Sequence, residues 1–211
     1  MKIGIIGAGM IGGSLATLFT RAGHEVALAN SRGPETLADK VAELGPNAHA
    51  ATAADAAAFG EVVAVAIPLK AYESLPPEWF AGKIVIDLDN YYPERDGQIA
   101  ALDSKSATSS ELLARHLPEA RVVKAFNTIY FEHLRDRGRT DAPASDRYAL
   151  PIAGDDAEAK ALLTGFIDEF GFSAVDTGTL AESWRQEPDT PVYGAEVQPD
   201  QATVLIAQAT R

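Results

Sequence analysis

One segment near the N-terminus, KIGIIGAGMIGGSLATLFTRAG, limits the possible folds more than any other. Residues 2–6 form a short apolar run, and Gly7, Gly9 and Gly12 follow in the spacing G-x-G-x-x-G. Ile11, Leu15, Leu18 and Ala22 then recur at helical spacing until Gly23 supplies a stop. A strand, a tight turn and a helix in this order suit a pyrophosphate, which the helix N-terminus attracts. The three glycines serve the tight turn, the close approach of phosphate to backbone, and the close packing of helix on strand. Gly7, Ala8, Gly9, Met10, Ile11 and Gly12 are therefore expected to bind a dinucleotide.

The alternation then repeats. Residues 26–29 are apolar; Pro34 stands at a first helical position, Leu37, Val41 and Leu44 share one face, and Gly45 terminates. Further strands are expected at residues 62–67, 84–88, 122–126, 148–153 and 173–176, most of them separated by helical or turn-rich segments. This pattern predicts an α/β fold of Rossmann type, doubly wound, with a mainly parallel sheet and a small C-terminal extension. Residues 1–128 are expected to form a dinucleotide-binding Rossmann domain. Residues 129–211 are expected to form an α/β extension that completes the sheet and the site of a second ligand. The alanine-rich tract AHAATAADAAAF, residues 48–59, reads as a small-residue helix packed closely on the sheet. Residues 90–110 and 138–146 read as loops, and PDQATVLIAQATR as a helical tail.

The end of the second strand selects the nucleotide. An acid there would bind the ribose hydroxyls of NAD and repel a 2′-phosphate. The chain has Asn30-Ser31-Arg32 instead: a hydroxyl and a planar cation suited to phosphate oxygens, just before a helix start. These residues suit NADP(H); the plain alternative for Arg32 is a solvated surface arginine.

In a parallel sheet the ligand lies outside the carboxyl ends of the strands. Ile67 ends the third apolar run and Pro68 and Leu69 follow it, with Lys70 next; they would face the middle of the cofactor unless they form an ordinary turn. Asp87 and Asp89 read as hydrogen-bonded turn acids rather than a catalytic pair. Small Ala125 and polar Asn127, beside Thr128, would let a flat nicotinamide ring lie close while an amide orients it; Asn127 could equally cap the next helix. Gly178, Leu180 and Trp184 follow the last strand, where an aromatic wall could face a second planar ligand or simply pack in the core.

Composition excludes several classes. With 30 acids against 18 bases the formal charge is −12, which disfavours nucleic acid and anionic membranes as partners. There are no cysteines, so disulfides, thiolate metal sites and a cysteine nucleophile are excluded. None of the four histidines has metal-ligand spacing to another, no metal site is expected, and no hydrolase or kinase signature occurs. A first strand at residue 2 and the absence of a long apolar run lead to the expectation of a cytoplasmic protein without signal peptide or membrane span. The catalytic acid, base or nucleophile is unknown at this level. Hydride transfer between two rings held face to face needs little more than placement.

The segments GAGMIGGSLA, ANSRGPETL, VVKAFNTIY, LPIAGDD and VDTGTLAESWR together resemble the NADPH-dependent coenzyme F420 reductases, also called F420-dependent NADP oxidoreductases, over residues 1 to about 187. The stretch TLAESWRQEPDTPVYG is more similar to a bacterial branch, whose members do not all use F420. The resemblance implies one Rossmann domain with a small C-terminal extension, and reversible hydride transfer from NADPH to a deazaflavin. It also implies a homodimer formed through the C-terminal part. It assigns cofactor contacts to Gly7, Gly9, Met10, Ile11, Gly12, Ser31, Arg32, Pro68 and Ala125. Coenzyme F420 is the expected planar acceptor. A flavin, quinone, imine or carbonyl compound is the alternative, with Tyr130, His133 or Lys124 as proton donors to a carbonyl. A non-catalytic NADP(H) sensor is the third possibility.

Overall fold

The computed structural model describes residues 1–211. Lys2–Ile6 (β1) leads through the glycine turn into Met10–Arg21 (α1), and Glu25–Ala29 (β2) into Ala38–Leu44 (α2). Ala48–Ala51 (β3), Ala53–Phe59 (α3), Val62–Val65 (β4) and Ile84–Asp87 (β5) follow. Two short helices, Pro93–Asp96 (α4) and Ala100–Asp103 (α5), precede Ser109–His116 (α6), Arg121–Lys124 (β6) and Phe131–Asp136 (α7). Ala149–Gly154 (β7), Ala157–Glu169 (α8), Ser173–Asp176 (β8) and Pro199–Gln208 (α9) complete the chain.

The eight strands form one sheet in the order β3-β2-β1-β4-β5-β6-β7-β8. All neighbours are parallel except β6 and β7. The doubly wound, mainly parallel α/β architecture expected from the alternating pattern is the one observed. Chain order reverses direction between β1 and β4, and a crevice at such a point is where open α/β sheets receive their ligands.

Successive side chains of a strand point to opposite faces, and the burial follows that period. Ile3, Ile5, Val26, Leu28, Val62, Ala64, Ile86 and Val123 face α1 and α8, where Leu15, Phe19, Leu163 and Phe166 meet them. Ile6, Ala27, Ala29, Val63, Val65, Val85 and Val122 face α3 and α6, against Ala56, Ala57 and Leu113. Apolar residues without alternation in polarity are what a strand buried on both faces requires.

The alanine-rich tract departs from expectation. Only residues 53–59 are helical; Ala48–Ala51 form the edge strand β3, in register with residues 26–29 of β2. Alanine has little strand preference of its own, so hydrogen bonding to β2 decides the conformation. Thr52 then caps α3 by accepting from the Asp55 N–H. Residues 90–110 contain two short helices and the start of α6 rather than loop alone. Strand β7 pairs with β6 only at Val123↔Gly154 and Lys124↔Ala153. Because β7 runs against β6, its first residues stand beyond the carboxyl end of β6, on the ligand side of the sheet. No helix is long and apolar enough to cross a membrane.

Helix α3 lies close on β1 because Gly4 has no side chain; a Cβ there would be 2.1 Å from the Ala56 carbonyl oxygen. Gly4→Ala is therefore expected to destabilise the fold by about 1–3 kcal/mol, as overpacking against backbone does. Urea unfolding measures it, and an unchanged midpoint would contradict this contact.

Candidate dinucleotide and acceptor site

The glycine turn is shaped by contacts that tolerate no side chain. Gly7 has φ +114°, and a Cβ there would be 2.1 Å from the Ala66 carbonyl oxygen; one on Gly12 would be 1.9 Å from the Gly7 carbonyl oxygen. Gly9 differs, with nothing within 4 Å of where its Cβ would be. Helix α1 starts behind Gly9 with no side-chain cap and no acid in its first turn. Its first N–H groups and the positive end of its dipole are thus left for an anion. An open cradle before an uncapped helix fits a pyrophosphate.

At the end of β2, Asn30 is used internally. Its Oδ1 accepts from the Arg32 N–H at 2.9 Å and its Nδ2 donates to Thr36 Oγ1 at 2.8 Å. This folds the turn so that Ser31 and Arg32 are exposed, and the Arg32 side chain makes no hydrogen bond or ion pair within the protein.

A cleft of about 430 Å³ begins at Gly9, Met10 and Ile11. It runs past Ala66, Ile67 and Pro68 at the end of β4, and past Leu88–Asn90 after β5. It ends against residues 126–131, with Tyr92, Arg95, Tyr193 and Gly194 closing its side. Met10 and Tyr130 at its mouth are 70% and 54% exposed, an apolar rim on an otherwise acidic protein. Ala8 instead lines a second cavity of about 660 Å³ along α1 and α2.

Beyond β6 the chain turns sharply. Phe126 has φ +62°, unusual for a bulky residue, and its ring lies in the core. The backbone of Asn127 and Thr128 thereby crosses the top of the strand. Asn127 does not cap α7, whose N-cap is Tyr130. Its Nδ2 donates to Asn90 Oδ1 at 3.0 Å and to the Gln186 carbonyl at 2.7 Å, and its Oδ1 accepts from Gln186 Nε2 at 3.0 Å. The amide expected to orient a ring is committed to the protein, so Asn127 is a fixed wall. Ala125 is wholly buried in the core and does not reach the cleft; neither does Leu69, also wholly buried. The Lys70 ammonium donates to the Arg95 carbonyl at 3.1 Å and ties the loops after β4 and β5 together.

The segment after β8 falls elsewhere. The Gly178 carbonyl accepts from the Gly154 N–H at 3.0 Å, and Leu180 is buried on the α3/α6 face. Trp184 lines a separate cavity of about 270 Å³ and lies under the guanidinium groups of Arg185 and Arg211. The physical reason is the 3-10 segment Leu180–Gln186, which runs behind Asn127 and presents only Gln186 to it. Gln186 is held in turn by Thr177 Oγ1 and the Pro151 carbonyl.

The residues missed from sequence are Tyr92, Arg95, Gln186 and Tyr193. Tyr92 and Tyr193 join through their hydroxyls, and Asn90 Nδ2 donates to Tyr193 Oη at 3.4 Å. Burial, with the Tyr92 contact second, pushes the Tyr193 phenol above its ordinary range. Arg95 donates to the Asn90 carbonyl at 2.6 Å and holds Asp96, whose carboxyl stays low despite burial. The segment DNYYPERD carried the local signal, a polar run at a strand end; Tyr193 is more than a hundred positions from its partner and carried none.

Asp87 and Lys124 are both wholly buried and form an ion pair at 3.2 Å. Asp87 also accepts from Ser110 Oγ at 2.6 Å and from the Asp89 N–H at 2.9 Å. Lys124 spends its other two protons on the Asp89 carbonyl and Ser109 Oγ. This places Lys124 out of reach of a substrate, and His133 pairs with Glu196 away from the cleft. No group of three or more potential metal ligands occurs. Removing one partner of such a pair strands a charge, so Lys124→Met is expected to cost about 3–5 kcal/mol. In denaturant titrations Lys124→Met/Asp87→Asn should recover much of that loss; equal losses in both variants would contradict the pairing.

Residues 2–91 match the family model described as NADP oxidoreductase, coenzyme F420-dependent. A hypothetical protein from Sinorhizobium meliloti, SMa0349, is 30% identical in sequence and superposes with a TM-score of 0.80, over 94% of this chain and 95% of that one. A protein of Arthrobacter sp. FB24, provisionally described as an F420-dependent NADP reductase, is 28% identical with a TM-score of 0.74, over 87% of each chain. Among curated proteins, the rat metalloreductase STEAP3 is 32% identical over 184 residues, which are 86% of this chain. The chain spans only 35% of the length of that relative.

Proposed function

Because the chain belongs to the family of coenzyme F420-dependent NADP oxidoreductases, we propose that it transfers hydride between NADP(H) and a planar acceptor, coenzyme F420 foremost. The observation that carries this reading is the course of the cleft. It starts at the open Gly9 cradle, passes the end of β4 and stops at the fixed wall of residues 126–128 beside an apolar rim. A concave, partly apolar groove of that course suits a dinucleotide with a second flat ring stacked on its reactive end.

The N–H groups at the start of α1 hold the pyrophosphate, while Arg32 and Ser31 hold the 2′-phosphate. Bound NADPH supplies the hydride from its nicotinamide ring. Asn127, locked by Gln186 and Asn90, keeps the far wall in one position, and the Tyr92–Tyr193 contact keeps water from that side. Met10 and Tyr130 give the acceptor ring an apolar surface.

Loss of a charge-assisted phosphate contact costs about 1.5–3 kcal/mol, so Arg32→Glu should weaken NADPH binding by roughly 10-fold to 100-fold or more and leave NADH nearly unchanged. Titration by nucleotide fluorescence measures both, and equal losses for the two nucleotides would remove the phosphate clamp.

Anaerobic stopped-flow with NADPH and oxidised F420, with FMN in parallel, tests the acceptor. Rapid bleaching of the deazaflavin is the expected outcome. Tight NADPH binding without bleaching would move the function to a flavin, quinone, imine or carbonyl acceptor, or to sensing of NADP(H) without turnover.

A further inference from the structure

Hydride transfer alone adds negative charge to its acceptor, so the site also needs a source of protons. One side chain of the cleft is left without a full set of partners. Asp89 lies two residues past the end of β5 and is 2% exposed. Its Oδ1 accepts from the Ile67 N–H at 2.9 Å, but its Oδ2 is buried with no hydrogen-bond partner. A carboxylate in that position would hold an unsolvated charge, which proteins avoid by keeping the proton.

The neighbours on each side do not relieve it. On β5, Asp87 adds negative charge, and on β6 the Lys124 ammonium donates to Asp87 and to the Asp89 carbonyl rather than to its carboxyl. Arg95, on α4, donates to Asp96 and the Asn90 carbonyl. Tyr92 and Tyr193 line the same cleft and are bonded to each other. Burial first, and Asp87 second, hold the Asp89 carboxyl well above the usual carboxylate range, with Lys124 and Arg95 offsetting part of this.

We propose that Asp89 is the proton donor to the hydride acceptor, because it lines the cleft between the end of β4 and the turn after β6 and its buried Oδ2 has no partner within the protein. This rests on the hydride-transfer reading of the same cleft. In the step, a C–H bond of the reduced nicotinamide breaks and its electron pair forms the new C–H bond on the acceptor. The Oδ2–H bond of Asp89 breaks, its electron pair stays on the carboxylate, and the proton joins the acceptor's ring nitrogen. The nicotinamide is oxidised, the acceptor is reduced by two electrons, and water reprotonates Asp89 after product release. In reverse the carboxylate takes the proton back.

Asp89→Asn keeps the oxygen that accepts from Ile67 and removes the acidic proton. With the acceptor that the wild type reduces, kcat is expected to fall by roughly 10²-fold to 10⁴-fold, the scale of general acid catalysis, while NADPH affinity changes by less than about twofold, far below the scale of a lost charged contact. Wild-type turnover should fall as pH rises through the Asp89 pKa, and that limb should vanish in the variant. Infrared difference spectra of wild type against variant, without acceptor, should show the carbonyl band of a protonated carboxylic acid at neutral pH. Absence of that band would overturn the assignment, as would wild-type kcat flat with pH. Retained kcat with weakened NADPH binding would also overturn it, leaving Asp89 as an anchor for the nucleotide. A wild type that reduces no acceptor would defeat the hydride-transfer reading itself, whereas an active wild type with an equally active variant would defeat only the donor.

Discussion

Backbone meeting backbone around β1 is the constraint on which the rest of the molecule depends. Gly4 admits α3 on one face, Gly7 admits the end of β4, and Gly12 lets α1 close over the turn. Each contact is one that a single methyl group would break. Together they bring the ends of β1 and β4 to one place and leave Gly9 facing open space there. The nucleotide cradle is thus a by-product of tight packing: the residues that could not be larger surround the one residue where nothing stands.

The far end of the cleft is built on the opposite principle. There polar groups are buried and almost all are satisfied: Lys124 with three partners, Asn127 and Gln186 with each other, Tyr92 with Tyr193. A satisfied buried network rigidifies its surroundings, whereas a single missing partner is costly. Against that background the lone Oδ2 of Asp89 is conspicuous, since the same neighbourhood satisfies a buried ammonium in full.

The legible part of this chain is what local pattern controls. Apolar runs marked seven of the eight strands, and the glycine turn lies where its spacing places it, between β1 and α1. Strand β3 escaped because four residues of alanine and histidine hold no strand signal, and only pairing with β2 makes them one. Ala125, Leu69 and Lys124 stand at strand ends, where pattern suggests exposure to ligand, but the turn at Phe126 and the short 3-10 segment after Pro68 carry them inward. Trp184 was misplaced for a similar reason: the direction of residues 180–186 is set by Gln186 seeking Asn127, a contact across 59 positions. The position of Asp89 just past a strand marks it as a turn acid, and its hydrogen bond to Ile67 agrees; the isolation of its other oxygen depends on contacts that no local pattern encodes.

The bond between Tyr92 and Tyr193 has a consequence for the order in which the molecule is made. All eight strands, and with them every residue of the glycine turn, are synthesised before residues 186–194. Until those residues emerge, Asn127 lacks Gln186 and the cleft lacks its Tyr193 wall. The glycine turn is therefore made well before the residues that finish the far wall of the cleft, so a growing chain holds every residue of the nucleotide cradle before it holds the whole of the wall opposite.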